Sequence, residues 1–260
     1  WIGFSGGLKI ILFSADYWTV LNGGIDLTVN QDKASFEKTT MAKLAYSYHL
    51  HIGTGGVLGI GADVGVLQKG LNGDFRSPDG YSTATPGPDN SIPYPGTSAT
   101  TYDLGLGIYY TTKRLYIGLS SLHLPEQSLK KTEGGTGGYS FDYTVARHYY
   151  IMAGYTFMGQ NLDLTPSILT KSDATSTQLD VNLMAKWKKM LFFGVSYRLT
   201  DAAVAMVGLE WMNFKVGYAY DYTLSPLKNH SSGSHEIMLG FCHKFLIPEY
   251  KQSHVNVRFL

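Results

Sequence analysis

A single cysteine, Cys242, occurs in 260 residues. This excludes an internal disulfide and any metal site built from several cysteines, and leaves Cys242 as a small filler on a strand. Long hydrophobic runs are missing too. No stretch of about 18 uncharged apolar residues exists, so the sequence offers no transmembrane helix. Charge is scarce and balanced, at 16% Asp, Glu, Lys and Arg with a net +1, which gives no electrostatic basis for binding nucleic acid. No charge run, internal repeat or Pro-rich linker divides the chain, which argues for one domain. Neither an initiator Met, a basic stretch nor an apolar leader precedes Trp1, so the chain is expected to begin inside a longer precursor.

Signatures of catalysis and metal binding are equally thin. His235-Glu236-Ile237-Met238-Leu239 starts like a zinc-protease helix, but the second histidine is missing and the residues alternate as in a strand. Gly53, Gly55, Gly59, Gly61 and Gly65 do not have the G-x-G-x-x-G spacing of a dinucleotide loop, and no helix follows them. His49, His51, His148 and His243 lack ligand spacing, and no nucleophile–base pair stands out. No catalytic residue, metal or cofactor is expected.

What the sequence does have is a period of two. Between Phe214 and Tyr222 it reads Phe-Lys-Val-Gly-Tyr-Ala-Tyr-Asp-Tyr, with aromatic and aliphatic side chains at every second position. Lys215, Gly217, Ala219 and Asp221 occupy the opposite face. In a soluble sandwich the apolar stripe would meet a shared core. Here glycine and charge line the other face, which suits a strand with lipid outside and a wet interior. The composition agrees: 30 glycines, 19 tyrosines and a mean hydropathy of −0.07 fit a chain in which half of each strand is polar. The fold class expected is all-β, an antiparallel transmembrane outer-membrane β-barrel.

Candidate strands fall at 7–15, 20–30, 34–49, 55–68, 100–111, 114–121, 147–157, 161–171, 175–188, 190–199, 203–211, 214–223 and 234–246. Tight links are expected at 16–19, 51–54, 112–113, 158–160, 188–189 and 212–213, and long ones at 69–99, 123–146 and 224–233. Alternating along the chain puts every long connection on one side, the asymmetry of a bacterial barrel. Thirteen candidates is odd, whereas single-chain bacterial barrels are even, so a first strand upstream of Trp1 is expected, giving about 14. The domain reading is a transmembrane barrel over 1–246 and a C-terminal periplasmic tail over 247–260.

Faces follow from the alternation. Leu104, Leu106 and Ile108, Val181 and Leu183, Phe193 and Val195, Val207 and Leu209, and Ile237 and Leu239 are assigned outward. Tyr110, Tyr155, Phe157, Trp187 and Trp211 lie at strand ends beside short turns, where an aromatic girdle meets lipid headgroups. The inward set holds Asp63, Asp103, Asp163, Asp180, Lys186, Arg198, Glu210, Lys215, Asp221, Glu236 and Lys244. A charge facing lipid at the midplane costs about 2–4 kcal/mol, which sends these side chains inward. Arg198 beside Glu210, and Lys215 and Asp221 beside Glu236, suggest a salt-bridged and partly filled lumen. Arg198, Asp201, Asp221, His235 and Glu236 are expected to form a rim network that fixes strand register.

Several segments resemble one known family. They are Gly194-Val195-Ser196-Tyr197-Arg198 with Asp201-Ala202, then Val216-Gly217-Tyr218-Ala219-Tyr220-Asp221-Tyr222-Thr223, then Ser232-Gly233-Ser234-His235-Glu236-Ile237-Met238-Leu239. Upstream, Gly105-Leu106-Gly107-Ile108-Tyr109-Tyr110, Tyr116-Ile117-Gly118-Leu119-Ser120 and Arg147-His148-Tyr149-Tyr150 keep the same order. Trp1-Ile2-Gly3-Phe4 and the ending Asn256-Val257-Arg258-Phe259 complete a pattern similar to the PorP/SprF membrane proteins of the type IX secretion system. The resemblance implies an outer-membrane protein of gliding or secreting Bacteroidota with no catalytic residues. It also implies cargo partners bearing a C-terminal signal domain, typically adhesins, and contact with a periplasmic lipoprotein ring through Asn256, Val257, Arg258 and Phe259. The competing readings are a porin-like or hydrophobic-substrate channel, which needs an open lumen, and a soluble structural β-protein, which would not partition into detergent.

Overall fold

The computed structural model describes residues 7–19, 22–53, 55–71, 97–133, 139–229 and 232–243. In chain order the strands are β1 (Lys9–Thr19), β2 (Gly23–Ala34), β3 (Glu37–Ile52), β4 (Gly56–Leu71) and β5 (Thr97–Thr111). There follow β6 (Leu115–Leu122), β7 (Ser128–Glu133), β8 (Tyr139–Thr144), β9 (His148–Tyr155) and β10 (Leu162–Ser172). The last are β11 (Thr177–Trp187), β12 (Leu191–Arg198), β13 (Ala202–Trp211), β14 (Phe214–Thr223) and β15 (Ser234–Phe241), with a 3-10 turn at Pro226–Asn229. Among the described residues thirteen strands make one antiparallel sheet in sequence order, and β7 and β8 pair only with each other. The number of sheet strands equals the number expected from the alternation.

Two details differ from expectation. The first link lies at residues 20–22 rather than 16–19, because Asp16, Tyr17 and Trp18 continue the ladder opposite Asp26, Ile25 and Gly24. The long connection after β6 is not irregular throughout; it holds the β7–β8 hairpin.

The short turns at one end use left-handed backbone at Asn22 (φ 53°), Gly53 (φ 60°), Lys188 (φ 48°), Lys189 (φ 57°) and Met212 (φ 55°). This twist matches that of the flanking strands and lets a two-residue hairpin close. The described residues of these turns include Lys113, Arg114, Lys188 and Lys189 and no acidic side chain. All three long connections emerge at the opposite end. There β3, β4 and β5, at 16, 16 and 15 residues, exceed the roughly 9–11 needed to cross a bilayer. Because β6 pairs only with 106–111 of β5, the N-terminal half of β5 rises above its neighbour.

The two faces are opposite in character. Phe193, Val195, Val207 and Phe241 are exposed on one face, and Ile237 and Leu239 are 76% exposed. On the other, Lys43 is 7% and Asp103 only 3% exposed. Burying cations and carboxylates while exposing isoleucine and phenylalanine would be untenable in water. It is the arrangement of a wall with hydrocarbon outside and polar groups inside. Among the described residues β1 pairs only with β2 and β15 only with β14. With thirteen strands alternating in direction, β1 and β15 run the same way.

Candidate functional site

Among the described residues, three of the charged clusters on the inner face are set by register. On β3–β5, Lys43 faces its ladder partner Gly65, and Gly65 faces Asp103. With no side chain on Gly65 between them, the Lys43 Nζ reaches Asp103 Oδ2 at 2.7 Å and Asp63 Oδ1 at 3.0 Å. Gly105 leaves the space that the Asp63 carboxylate fills; a Cβ there would collide with it. His123, just after β6, brings its Nδ1 to 3.0 Å from the second Asp103 oxygen. One ammonium and one imidazole therefore hold two carboxylates, Asp103 buried and Asp63 half-buried.

On β11–β14, Arg198 stands directly opposite Asp180. Its guanidinium lies 3.5 Å from Asp180, 3.2 Å from Asp221 and 3.6 Å from Asp201. The third cluster lies at the short-turn end, where the Lys186 Nζ donates to Glu210 at 2.7 Å and Lys215 approaches the other Glu210 oxygen at 3.6 Å. Arg198 and Glu210 were expected side by side. They stand at opposite ends of the β12–β13 pair, because an antiparallel turn at 199–201 sets Arg198 against Ala202. Likewise Lys215 and Asp221 face Gly240 and Ser234, and Glu236 faces Ala219.

The rim group divides in the same way. Arg198, Asp201 and Asp221 come together and gain Asp180. His235 lies on the outer face, where its Nδ1 is 2.6 Å from the Tyr218 hydroxyl and its ring lies 5.0 Å from that of Tyr220. Glu236 is exposed on the edge strand and makes no ion pair among the described residues.

Tyr110, Tyr155, Phe157, Trp187 and Trp211 all lie at the short-turn end. The last four are exposed, and Tyr155 and Phe157 meet edge to face at 4.9 Å. Phe214 and Phe241, 5.1 Å apart, belong to the same belt, whereas Trp18, opposite Gly24, takes the inner face and lies against the His49 ring at 4.8 Å. The alternation could have shown these two, since Phe214 opens β14 and Phe241 closes β15 on the outward face. Asn256, Val257, Arg258 and Phe259 lie outside the described residues, as does Lys244.

Sequence reasoning also missed a contact set at the long-loop end. The Lys69 Nζ pairs with Glu37 at 3.0 Å and lies 3.7 Å from the centroid of the Tyr143 ring on β8. Arg147 donates to the Leu124 carbonyl at 2.7 Å and pairs with Glu126 at 3.3 Å. These side chains tie the β6–β9 connection to the wall. Chemically the clusters are closed ion pairs suited to fixing register, and among the described residues no group of His, Cys, Asp and Glu converges to hold a metal.

Comparison with known proteins bears on what such a wall serves. No curated protein matches the chain. A family model described as type IX secretion system membrane protein PorP/SprF matches residues 1–241.

Proposed function

The chain belongs to the PorP/SprF family of type IX secretion system membrane proteins, and from this we propose that it is a non-enzymatic scaffold for the export and surface attachment of cargo. The protein is a membrane component of that secretion system, with the all-β architecture of an outer-membrane barrel. In the proposal, cargo carrying a C-terminal signal domain engages the end with long connections. The end with short turns, together with a tail over 247–260, faces the periplasmic lipoprotein ring. The barrel would occupy 1–246, the Arg198 cluster would hold the outer rim in register, and the aromatic belt from Tyr110 to Trp211 would mark the periplasmic headgroup layer.

One observation supports this reading: a family match over 1–241 coincides with a wall whose inward charges are engaged in ion pairs with one another. A barrel whose interior is spent on register suits support of other proteins. The test is capture of the tagged protein from outer membranes, with mass spectrometry of what accompanies it, beside cargo display in a deletion strain. Co-capture of a cargo protein and a lipoprotein, with loss of display on deletion, is expected. Normal display without the protein would overturn the proposal. Removing 247–260 should release the lipoprotein while the barrel still assembles; its full recovery would refute the role of the tail.

A further inference from the structure

The β7–β8 hairpin is long enough to wave free above the membrane, yet it is seated on the wall. Leu129 of β7 is 2% exposed, as low as any buried hydrophobic residue described, and Val145 just after β8 is 7% exposed. Both pack with Leu67, and Met41, Leu71 and Ala99 close around them. Those four wall residues share the inner face with Lys43, Asp63 and Asp103, since they alternate with the lipid-facing side chains of β3, β4 and β5. The apolar seat is therefore on the inside of the barrel, in the part of β3–β5 that projects above β6.

Polar contacts fix the hairpin in the same pose. The Tyr143 ring lies against the Lys69 ammonium, which is itself paired to Glu37 on the inner wall. Gln127 donates through Nε2 to the Tyr102 hydroxyl at 2.9 Å, and the Val145 amide donates to the Gln127 carbonyl at 2.9 Å. At the root, His123 joins Asp103, and its ring meets that of His148, the first residue of β9, at 5.5 Å. Lys69 and Asp103, both on the inner face, thereby hold the insertion at two points, while Gln127 bonds Tyr102 on the outward face of β5.

We propose that the β7–β8 hairpin is a built-in plug that folds into the outer mouth of the barrel and closes it to solutes. The exposed pair Lys130 and Asp142, bridged at 3.1 Å, lies on the hairpin away from the buried Leu129 and presents a polar upper surface to the medium. A loop that served only to touch an extracellular partner would not need its most buried side chain to fill the inner wall. This inference rests on the barrel alone and stands or falls apart from the secretion role.

The test compares the parent chain with a variant in which residues 128–144 are replaced by a short Gly-Ser linker, both reconstituted in planar bilayers. The parent is expected to be silent and the shortened barrel to pass ions in steps. A folded, heat-modifiable shortened barrel that stays as silent as the parent overturns the plug, and so does a parent that conducts equally well.

Should the shortened chain fail to fold, a labelling assay decides. In a Cys242→Ser background, Ser120→Cys on the inner wall of β6 reports access of a membrane-impermeant maleimide from outside the cell. Adding Leu129→Asp and Val145→Asp should raise the labelling rate at least about tenfold, the consequence of removing two apolar side chains from their seat. An unchanged rate overturns the proposal.

Discussion

Lys43 illustrates how a single side chain governs a large region of wall. Its ammonium is the cation shared by the half-buried Asp63 and the buried Asp103. Replacing it by Met leaves two carboxylates facing each other in a region shielded from water. Breaking a buried pair in this way costs about 3–5 kcal/mol. Urea unfolding in phospholipid vesicles should show that loss for Lys43→Met, with partial recovery when Asp103→Asn is added. Simple additivity of the two changes would disprove the coupling. Arg198 is more exposed and has three acidic partners, so Arg198→Met should cost less, about 1.5–3 kcal/mol, the scale of a charge-assisted hydrogen bond.

At the β10–β11 turn, the Asp173 carboxylate accepts the amides of Ser176 at 2.6 Å and Thr175 at 3.0 Å. These two donors, Ser176 first, hold its pKa below the ordinary carboxylate value. A depressed value means the turn is fully supported at neutral pH and loses that support as acid protonates the group. Hydrogen exchange at the Ser176 amide should accelerate on acidification relative to its intrinsic rate, and Asp173→Asn should remove that pH dependence.

For individual side chains, the sequence revealed the face but not the depth. Alternation placed Asp63, Asp180, Arg198 and Glu210 inward correctly as to face, yet Arg198 was paired with the wrong acid. The missing step was arithmetic from the turn: centred on Thr200, it sends Arg198 to Ala202 and Glu210 toward the far end, beside Lys215. His235 was misassigned for a related reason. Ladder pairing with Tyr220 puts it on the tyrosine face, while its neighbour Glu236 takes the inner one.

Among the strands, adjacent positions should respond oppositely to the same change. Val195→Arg places a guanidinium against lipid near mid-strand and should cost about 2–4 kcal/mol in vesicle folding. Ser196→Arg, one residue on, points into the interior beside Asn182 and should cost far less. Equal penalties would contradict the assignment of faces. The β11–β12 turn invites the reverse experiment. Lys188 and Lys189 both hold left-handed backbone, which costs a side-chain-bearing residue about 1–2 kcal/mol. Lys188→Asn with Lys189→Gly should therefore raise the unfolding midpoint, although the Lys188 contact with the Trp187 ring at 4.6 Å is lost. The β7–β8 hairpin was illegible because Ser-Leu-Lys-Lys-Thr-Glu carries no apolar alternation. Its strand geometry comes from pairing with β8 and from seating Leu129, neither of which local pattern encodes.

For the molecule as a whole, the order of strands was readable because every link joins neighbours in the sheet, so no crossover had to be inferred. The inverted distribution of polarity was readable for the same reason that it is needed: a bilayer dictates which side of each strand is greasy. The parallel direction of β1 and β15 means that any strand lying between them runs opposite to both, and so completes an even-numbered barrel.

The turns joining β3 to β4, β5 to β6, β11 to β12 and β13 to β14 span at most three residues each. At about 3.3–3.6 Å per residue, such loops lift the chain only a few ångströms past the last ladder rung. At these four turns, apart from the tail proposed to face the same side, a freely diffusing protein finds little to grasp. Whatever docks here must already skim the phosphate layer, and a protein tethered by its own acyl chains is held at that height by its anchor.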